Sequence, residues 1–207
     1  MNTKEKILKK ALELFNEVGY NVVTARYIAK ELNISVGNLH YHYKHSKDIV
    51  TAIINNLLYQ SEVLILEFKN DENLTIEKLS NYLQSLFNLF FEYQFLMTNF
   101  VDVFRDVPEL QSKFLEIYNK RENQFESIIK TFQQLKVFRQ DLPEKLVKSV
   151  ISQIFIIVDS FITYNSVITN LQKDDAIIYF KQLTLNLFLP LFSEKERDNY
   201  INLYLKN

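Results

Sequence analysis

The chain of 207 residues carries a formal net charge of -1 at pH 7, with 47% hydrophobic and 24% charged residues. It contains no cysteine, which excludes a disulfide framework and thiolate chemistry and leads us to expect a cytoplasmic protein. It has only two glycines and three prolines, whereas sheets joined by tight turns need more of both, so the composition predicts an all-α protein. No apolar run approaches the roughly 18 residues of a membrane span, so we expect no membrane association.

The charge is distributed unevenly along the chain. Residues 1–50 contain eight Lys and Arg residues and five acidic residues, which gives this segment a net charge of +3. The remaining 157 residues contain 16 basic and 20 acidic residues, for a net charge of -4. A basic segment followed by an acidic body indicates that the N-terminal segment contacts a polyanion, although an excess of three charges also arises by chance.

Three helices are predicted within the first 50 residues. Asn2 and Glu5 have the spacing of a capping box, and a helix of about 15 residues would end at Gly19, where a left-handed conformation suits glycine. Thr24 caps a second, short helix through residue 32, and Ser35 caps a third. Since the link between the last two is only a tight turn, they predict a helix-turn-helix.

The rest of the chain is predicted to form longer helices. Their approximate ranges are 46–69, 75–93, 96–106, 108–136, 143–167, 174–191 and 193–205. Pro108, Pro143 and Pro190 stand at the joints between them. We find no internal repeat and no low-complexity segment, so the chain is interpreted as a short N-terminal domain, residues 1–47, followed by a helical domain, residues 48–207.

The third helix contains the most unusual residues of the chain. The segment SVGNLHYHYKHSKD, residues 35–48, holds all three histidines and one of the two glycines. Leu39 and Tyr43 share one face at i and i+4, which leaves an outer face of Val36, Gly37, Asn38, His40, Tyr41 and His42. Small residues let such a helix approach closely, and an asparagine amide can pair with a base edge in the major groove. The Tyr41 and His42 side chains can donate to phosphate oxygens.

Other interpretations of the same segment are open. His40, His42 and His45 could bind a metal ion, but successive helical residues point about 100° apart, and no Cys or carboxylate pair completes a ligand set. Catalysis by His42 would need a nucleophile or partner in a cleft, which the sequence does not indicate. The simplest alternative is a surface helix without a binding role.

Three stretches of the N-terminal segment resemble the DNA-binding domain of the tetracycline-repressor (TetR) family of bacterial transcriptional regulators. They are ILKKALELFNEVGY (7–20), TARYIAKELNIS (24–35) and GNLHYHYK (37–44). The resemblance implies that the operator is faced by Arg26, Val36, Gly37, Asn38, His40, Tyr41 and His42. To these we add the two capping residues, Thr24 and Ser35, and Ser46 and Lys47, which open the next helix, where free amides suit a phosphate.

Some positions depart from the family pattern. Lys47 lies one place later than the phosphate-binding Lys that is usual in the family, with Ser46 at that place. His40 stands where a Tyr is usual, and Tyr27 replaces an acid that is often found early in the second helix.

The family resemblance also implies a helical C-terminal domain that dimerises and commonly binds a small molecule. The body carries 24 of the 29 Phe and Tyr residues, and an aromatic stripe is core by default, although rings also line apolar ligand pockets. Against the helix over 46–69, where the family has its pocket, the candidate residues are Tyr59, Phe68, Phe87, Phe90, Phe91, Phe100, Phe104, Tyr118 and Phe155. We expect a small, apolar effector and no cofactor or metal.

The two helices predicted over 143–167 and 174–191 have apolar faces too wide for a single helix–helix contact. A helix that is apolar around most of its circumference is buried on both sides. The family resemblance accounts for this by a four-helix dimer interface, for which the candidates are Val147, Ile151, Ile154, Val158, Phe161, Ile178, Leu183 and Leu187. Burial inside one subunit is the alternative.

The function predicted from the sequence is that of a ligand-responsive, homodimeric transcriptional repressor on a palindromic operator. The alternative is a helical ligand-binding or scaffold dimer that does not bind DNA. An enzyme is not expected, since no catalytic constellation is present in the sequence.

Overall fold

The computed structural model describes residues 2–71 and 73–206, which form eleven α-helices and one π-helical turn. The helices are α1 Thr3–Glu17, α2 Ala25–Glu31, α3 Val36–His42, α4 Ser46–Lys69, α5 Ile76–Glu92, α6 Gln94–Thr98, α7 Phe100–Asp106, α8 Pro108–Gln134, α9 Glu144–Tyr164, α10 Lys173–Asn186 and α11 Glu194–Tyr204. The π-helical turn, Asn165–Thr169, continues α9. Within the described ranges there is no strand, only an isolated bridge between Phe138 and Phe192, so the all-α prediction is confirmed.

Local capping explains where the first helices begin. Asn2 Oδ1 accepts from the Glu5 N–H at 2.9 Å, and Glu5 Oε2 accepts from the Asn2 N–H at 3.0 Å, which is the predicted capping box. After α1, Gly19 has a φ of 101°, a left-handed conformation that glycine adopts without a Cβ clash. The predicted start and end of α1 therefore rest on residues close to them in the sequence.

Three predicted helices differ from those observed. The helix expected over 174–191 ends at Asn186. The helix expected over 96–106 is divided into α6 and α7, because Asn99 has non-helical backbone angles of φ -124° and ψ 27°. The helix expected to reach residue 136 ends at Gln134, and Lys136 has a φ of 60°. None of the three has a glycine or proline at the break itself, so no local pattern in the sequence marks them.

The chain packs as two compact units that do not coincide with the predicted domains. The first unit contains the N-terminal residues up to Ser61 together with Leu89–Leu115. The second contains Glu62–Asn88 and the chain from Glu116 onward. The boundary at residues 47 and 48 remains a prediction, and the contacts instead join α1–α3 to α6 and α7 within one unit.

In the first unit, the side chain of Asn16 joins α1 to the last residue of α5 and to the first turn of α6. Its Nδ2 donates to the Glu92 carbonyl at 2.8 Å, and its Oδ1 accepts from the Phe95 N–H at 3.0 Å. Beside it, the Phe15 and Phe95 rings lie 5.1 Å apart between centroids. One amide group therefore satisfies two backbone groups that are 79 and 76 residues distant in the sequence.

Tyr20 forms a second connection within the first unit. Its hydroxyl donates to Asp106 Oδ2 at 3.0 Å, and its ring lies 6.3 Å from the Phe95 ring. Burial, and then the hydrogen bond to Asp106, raise the pKa of the Tyr20 hydroxyl well above its usual range. The hydroxyl therefore remains a donor at any physiological pH.

The second unit has a core built mainly from aromatic pairs. The Phe87 ring packs edge-on against Phe161 at 4.7 Å, and the Phe68 ring stacks on Tyr82 at 5.0 Å. Phe87 and Phe161 are both fully buried. Aromatic pairs of this geometry contribute beyond their buried area, about 0.5–1.5 kcal/mol each.

Two helical stretches have the length and composition of a membrane span. They are Ser46–Lys69 and Glu144–Thr169, with mean hydropathies of 1.5 and 1.7. Core helices of globular proteins pass the same test, and 44% and 39% of the respective apolar windows are buried in this fold. Length and composition alone are thus weak grounds for a membrane segment.

Replacing Asn16 tests its role as a connection. Asn16→Ala removes both hydrogen bonds and leaves the Glu92 carbonyl and the Phe95 N–H without this partner, so we expect a loss of about 1–3 kcal/mol in the free energy of unfolding. Urea unfolding followed by circular dichroism measures it. The control is Asn56→Ala, at an exposed asparagine of the same unit. Equal stability of the two variants would contradict the role.

Candidate nucleic-acid interface

The turn between α2 and α3 is set by caps on both sides. Thr24 Oγ1 accepts from the Tyr27 N–H at 3.2 Å, and Ser35 Oγ accepts from the Asn38 N–H at 3.1 Å. Between the helices, Asn33 has a φ of 53°, and the Ile34 N–H donates to the Ala29 carbonyl at 3.0 Å. This αL residue ends α2 and reverses the chain, as predicted for a helix-turn-helix.

One side of α3 packs against the rest of the first unit. Leu39 is fully buried and Tyr43 is 5% exposed, as the i and i+4 spacing predicts. Along the rest of the helix Gly37, Asn38 and His40 are exposed, and Tyr41 has 85% of its surface in solvent. A seven-residue helix with so few buried side chains has most of its surface available for a partner.

Gly37 serves no steric purpose inside the protein. A Cβ built on it meets only Ser35 Oγ, at 3.9 Å, which is an ordinary van der Waals distance, and its backbone is not left-handed. Alanine is the better helix former by about 1 kcal/mol, so the fold alone would favour Ala at this position. A glycine here instead suits the close approach of an external surface to the first turn of α3.

The aromatic and histidine side chains at the end of α3 contact one another. The Tyr41 and His42 rings meet edge-on with centroids 5.2 Å apart. His40 Nδ1 lies 3.3 Å from the Tyr43 carbonyl oxygen, a contact that serves as a hydrogen bond when Nδ1 carries the proton. These contacts restrict rings that are otherwise exposed or half-buried.

The start of α4 carries the predicted phosphate-contacting residues. Ser46 and Lys47 are exposed there. The His45 N–H, however, donates to Asp48 Oδ2 at 2.9 Å, so a carboxylate already caps this helix. A phosphate at this end would therefore meet the hydroxyl of Ser46 and the charge of Lys47 beside an existing negative group.

All eleven predicted DNA-contacting residues lie in the first unit, on α2, α3, their caps and the first turn of α4. Val36 and His42 are half-buried, and the others are exposed: Thr24, Arg26, Ser35, Gly37, Asn38, His40, Tyr41, Ser46 and Lys47. The sequence did not indicate Lys4, whose Nζ lies 5.4 Å from the Tyr43 ring centroid. This cation lies beside the end of α3 because of the packing of α1, which no local pattern reveals.

A metal site at the histidines finds no support in the geometry. Among residues 2–71 and 73–206, no group of three or more His, Cys, Asp or Glu side chains is placed to hold a metal ion.

The nine aromatic residues predicted for a ligand pocket are divided between the two units. Tyr59, Phe90, Phe91, Phe100 and Phe104 belong to the first, and Phe68, Phe87, Tyr118 and Phe155 to the second. In the first unit, Phe100 lies 4.4 Å from Phe104, while Tyr59 is 71% exposed. In the second, the Tyr118 and Phe155 rings are 4.9 Å apart.

The predicted dimer residues have different surroundings. Ile151, Ile154, Val158 and Phe161 are buried within the subunit, and their assignment to a dimer interface stays a prediction. Val147 and Leu187 are half-buried, and Ile178 and Leu183 are exposed. Apolar periodicity predicted that these helices bury residues, but it could not assign which face does so within the subunit.

Protein-family models match nearly the whole chain. Residues 7–53 match the model described as bacterial regulatory proteins of the tetR family, and residues 58–200 match a model described as a bacterial transcriptional repressor. Both descriptions are of regulators and not of enzymes, which agrees with the expectation from the sequence.

The chain is also similar in sequence to a known regulator. The chain is 31% identical over 125 residues to the HTH-type transcriptional regulator QacR of Staphylococcus aureus. The matched segment is 60% of this chain and 65% of that protein, so it spans slightly less than two thirds of the relative's length.

Solved structures share the fold. A TetR-family transcriptional regulator from Marinobacter aquaeolei has a TM-score of 0.87 at 24% identity, covering 98% of this chain and 97% of its own. A complex of SmeT with triclosan has a TM-score of 0.72 at 16% identity, with 93% and 92% coverage, and SmeT is described as the repressor of the Stenotrophomonas maltophilia multidrug efflux pump SmeDEF. The helix-turn-helix geometry and the two family matches agree with the resemblance of the N-terminal sequence, and the chain belongs to the TetR family of bacterial regulatory proteins.

Proposed function

We propose that this protein binds a palindromic DNA operator as a homodimer and represses transcription until a small molecule binds its helical body. The observation that carries the proposal is the third helix, which is held by Leu39 and Tyr43 and leaves Gly37, Asn38 and Tyr41 exposed. A short helix presented in this way fits the major groove, where amide side chains pair with adenine edges.

Separate roles follow from side-chain chemistry. Asn38 has an exposed amide with both a donor and an acceptor, the arrangement needed for a bidentate contact to adenine. Arg26, Tyr41 and Lys47 are exposed donors that would contact phosphate oxygens, which position the helix without specifying sequence. Thr24 and Ser35 act mainly by fixing the starts of α2 and α3, because their hydroxyl oxygens already accept backbone N–H groups.

A dimer would use an exposed apolar surface on the second unit. It comprises Ile156, Tyr164, Val167, Ile168, Ile178 and Leu183, from α9, the π-helical turn and α10. Val167 is 73% exposed and Ile156 is 65% exposed. Because α9 and α10 pack together, these residues belong to one part of the unit, and a concentration of exposed apolar side chains marks an interaction site. A twofold dimer would place two α3 helices about 34–36 Å apart, in successive major grooves.

Release of DNA would follow from ligand binding to the helical body. The aromatic side chains of the second unit, including the Tyr118 and Phe155 rings 4.9 Å apart, would supply an apolar lining for a small molecule. A ligand that binds better to a conformation with another separation of the two α3 helices lowers operator affinity by linkage. A repressor of this kind acts in the cytoplasm, where its operator is.

Replacing Asn38 tests base recognition. Asn38→Ala should weaken operator binding by about 1–3 kcal/mol and leave binding to random DNA nearly unchanged, since only a base contact is lost. Fluorescence anisotropy with both DNAs at fixed salt measures this. Asn81→Ala, at an exposed asparagine on α5, is the control. Equal losses on operator and random DNA would show that Asn38 does not recognise a base.

Adding one methyl group at Gly37 separates fold from function. Gly37→Ala should leave the free energy of unfolding unchanged or raise it by up to about 1 kcal/mol, because the new Cβ meets only Ser35 Oγ. Operator affinity should fall at least tenfold if α3 enters the groove closely. Thermal unfolding and anisotropy on the same sample test both parts, and unchanged operator affinity would place the groove contact elsewhere.

The dimer surface can be tested at its exposed residues. Ile178→Asp and Leu183→Asp place a charge in the apolar surface and should shift the protein to monomers with an unchanged circular dichroism spectrum. Light scattering measures the mass, with Asn119→Asp on exposed α8 surface as the control. Ile154 is unsuitable because it is fully buried, so a charge there would disrupt folding. Dimers of normal mass for both variants would exclude this surface.

A further inference from the structure

A crevice of about 220 Å³ lies between α1 and α4 in the first unit. Leu8 and Leu12 of α1 line one side, Ile53 and Asn56 of α4 line the other, and Tyr93 also contributes to it. None of the eleven residues predicted to face DNA lines this α1–α4 crevice. It is therefore formed within the first unit and apart from the DNA-facing side chains.

The α1–α4 crevice has an apolar interior and a polar edge. Ile53 is 2% exposed and Tyr93 is 5% exposed, and the two leucines are half-buried. The polar residues Glu5, Lys9 and Asn56 also line it and are exposed. Apolar walls with a few polar groups are typical of small-molecule sites, and a volume below the usual lower limit of about 300 Å³ restricts the ligand to a small one.

The charges along this side of α1 leave one cation without a partner. Both carboxylate oxygens of Glu5 accept from Asn2, one from its N–H and one from its side-chain Nδ2, each at 3.0 Å. Glu13, one turn beyond Lys9, pairs with Lys10 at 2.6 Å. Lys9 itself forms no ion pair within residues 2–71 and 73–206. Its ammonium group is therefore available to an anion at the edge of the crevice.

Tyr93 provides a second donor. Its hydroxyl oxygen accepts from Gln60 Nε2 at 2.7 Å, and within the described chain no group accepts its O–H proton. Gln60 lies on the same face of α4 as Ile53 and Asn56, at i, i+3 and i+7. Burial raises the pKa of the Tyr93 hydroxyl, the Gln60 hydrogen bond opposes the rise, and the exposed Glu92 adds to it, so the hydroxyl stays a donor at physiological pH.

From this arrangement we infer that the α1–α4 crevice binds a small organic carboxylate with a short aryl or alkyl body. The Lys9 ammonium, the Asn56 amide and the Tyr93 hydroxyl donate to the carboxylate, which only accepts hydrogen bonds. The apolar body packs on the leucine and isoleucine side chains of the crevice. This site is additional to the effector site proposed in the helical body and does not depend on it.

Matched probes test the chemistry directly. They are benzoate, phenylacetate, 3-phenylpropanoate and hexanoate, each with the alcohol and the primary amine of the same carbon skeleton, and acetate as a carboxylate without an apolar body. Isothermal titration calorimetry uses the full chain without DNA at low salt. The best carboxylate should bind at least about fivefold more tightly than its alcohol and amine, because a partly exposed ion pair contributes up to about 1 kcal/mol. Its affinity should fall as salt screens that pair.

Three results with these probes would overturn the inference. Equal binding of a carboxylate and its alcohol would show that the donors are not used. Equal binding of acetate and the larger carboxylates would show surface charge without an apolar crevice. No binding of any carboxylate at millimolar concentration would show that the crevice holds no such ligand.

Two variants locate the site. Lys9→Gln removes the charge and Tyr93→Phe removes the hydroxyl, so each should lower the preference for the carboxylate over its alcohol, and the double variant should abolish it. The controls are Lys6→Gln, exposed on α1, and Tyr59→Phe, which is 71% exposed on α4, and neither residue lines the crevice. Circular dichroism checks that the variants fold. An unchanged preference in the folded double variant would place the carboxylate elsewhere and overturn the inference.

Thermal unfolding gives a second readout. A ligand that binds the folded protein raises its melting temperature, so the best carboxylate should stabilise the wild type and both controls. The same concentration should stabilise the double variant no more than the matching alcohol does. Equal stabilisation of wild type and double variant by the carboxylate would contradict a site at Lys9 and Tyr93.

The outcomes separate this inference from the proposed function. Operator binding without any carboxylate binding leaves the DNA-binding proposal intact and overturns the inference. Carboxylate binding that depends on Lys9 and Tyr93, in a protein that selects no operator, supports the inference and overturns only the proposed function.

Discussion

The position of α1 within the first unit depends on the amide of Asn16. This side chain donates to the Glu92 carbonyl and accepts from the Phe95 N–H, so α1 is fixed to the segment from which α6 starts. The Phe15, Tyr20 and Phe95 rings pack around this contact, and Tyr20 reaches Asp106 at the end of α7. The first unit is therefore one body in which α1–α3 are joined to α6 and α7. A displacement of α6 relative to α1 would break the hydrogen bond between the Asn16 side chain and the Phe95 N–H.

The third helix, α3, also depends on contacts with the rest of the first unit. It is too short to be stable alone, since isolated helices below about 12–15 residues are marginal in water. Leu39 and Tyr43 fix it against the first unit, and Ser35 fixes its first turn. Lys4 of α1 lies over the Tyr43 ring, so α1 supports α3 directly. The exposed side carries Gly37 and Asn38, which we propose contact DNA.

Features that depend on near neighbours could be predicted from the sequence. The caps at Asn2, Thr24 and Ser35 are side chains bonded to backbone groups three residues away, and all three are present. The burial of Leu39 and Tyr43 follows from their i and i+4 spacing on one face of a helix. The exposed positions of Asn38 and Tyr41 follow from the same rule, because residues opposite a buried pair face outward.

Features that depend on distant parts of the chain could not be predicted. Asn16 resembles any polar residue of an amphipathic helix, yet its partners are more than 70 residues away. Ile154 and Ile178 are equally apolar, but the packing of the subunit buries the first and exposes the second. The side-chain oxygen of Gln124 is buried and has no hydrogen-bond partner within the described residues, which can be recognised only from the folded structure.

We propose that exposed α3 side chains of two subunits recognise a symmetric DNA site. Hydroxyl-radical footprinting of the wild-type protein, on DNA enriched by repeated selection from a random pool, tests this proposal most directly. We expect an enriched sequence with twofold symmetry and two protected regions on one face of the duplex, about one helical turn apart or a whole multiple of it. Failure to enrich any sequence at low salt, or a footprint without symmetry, would contradict it.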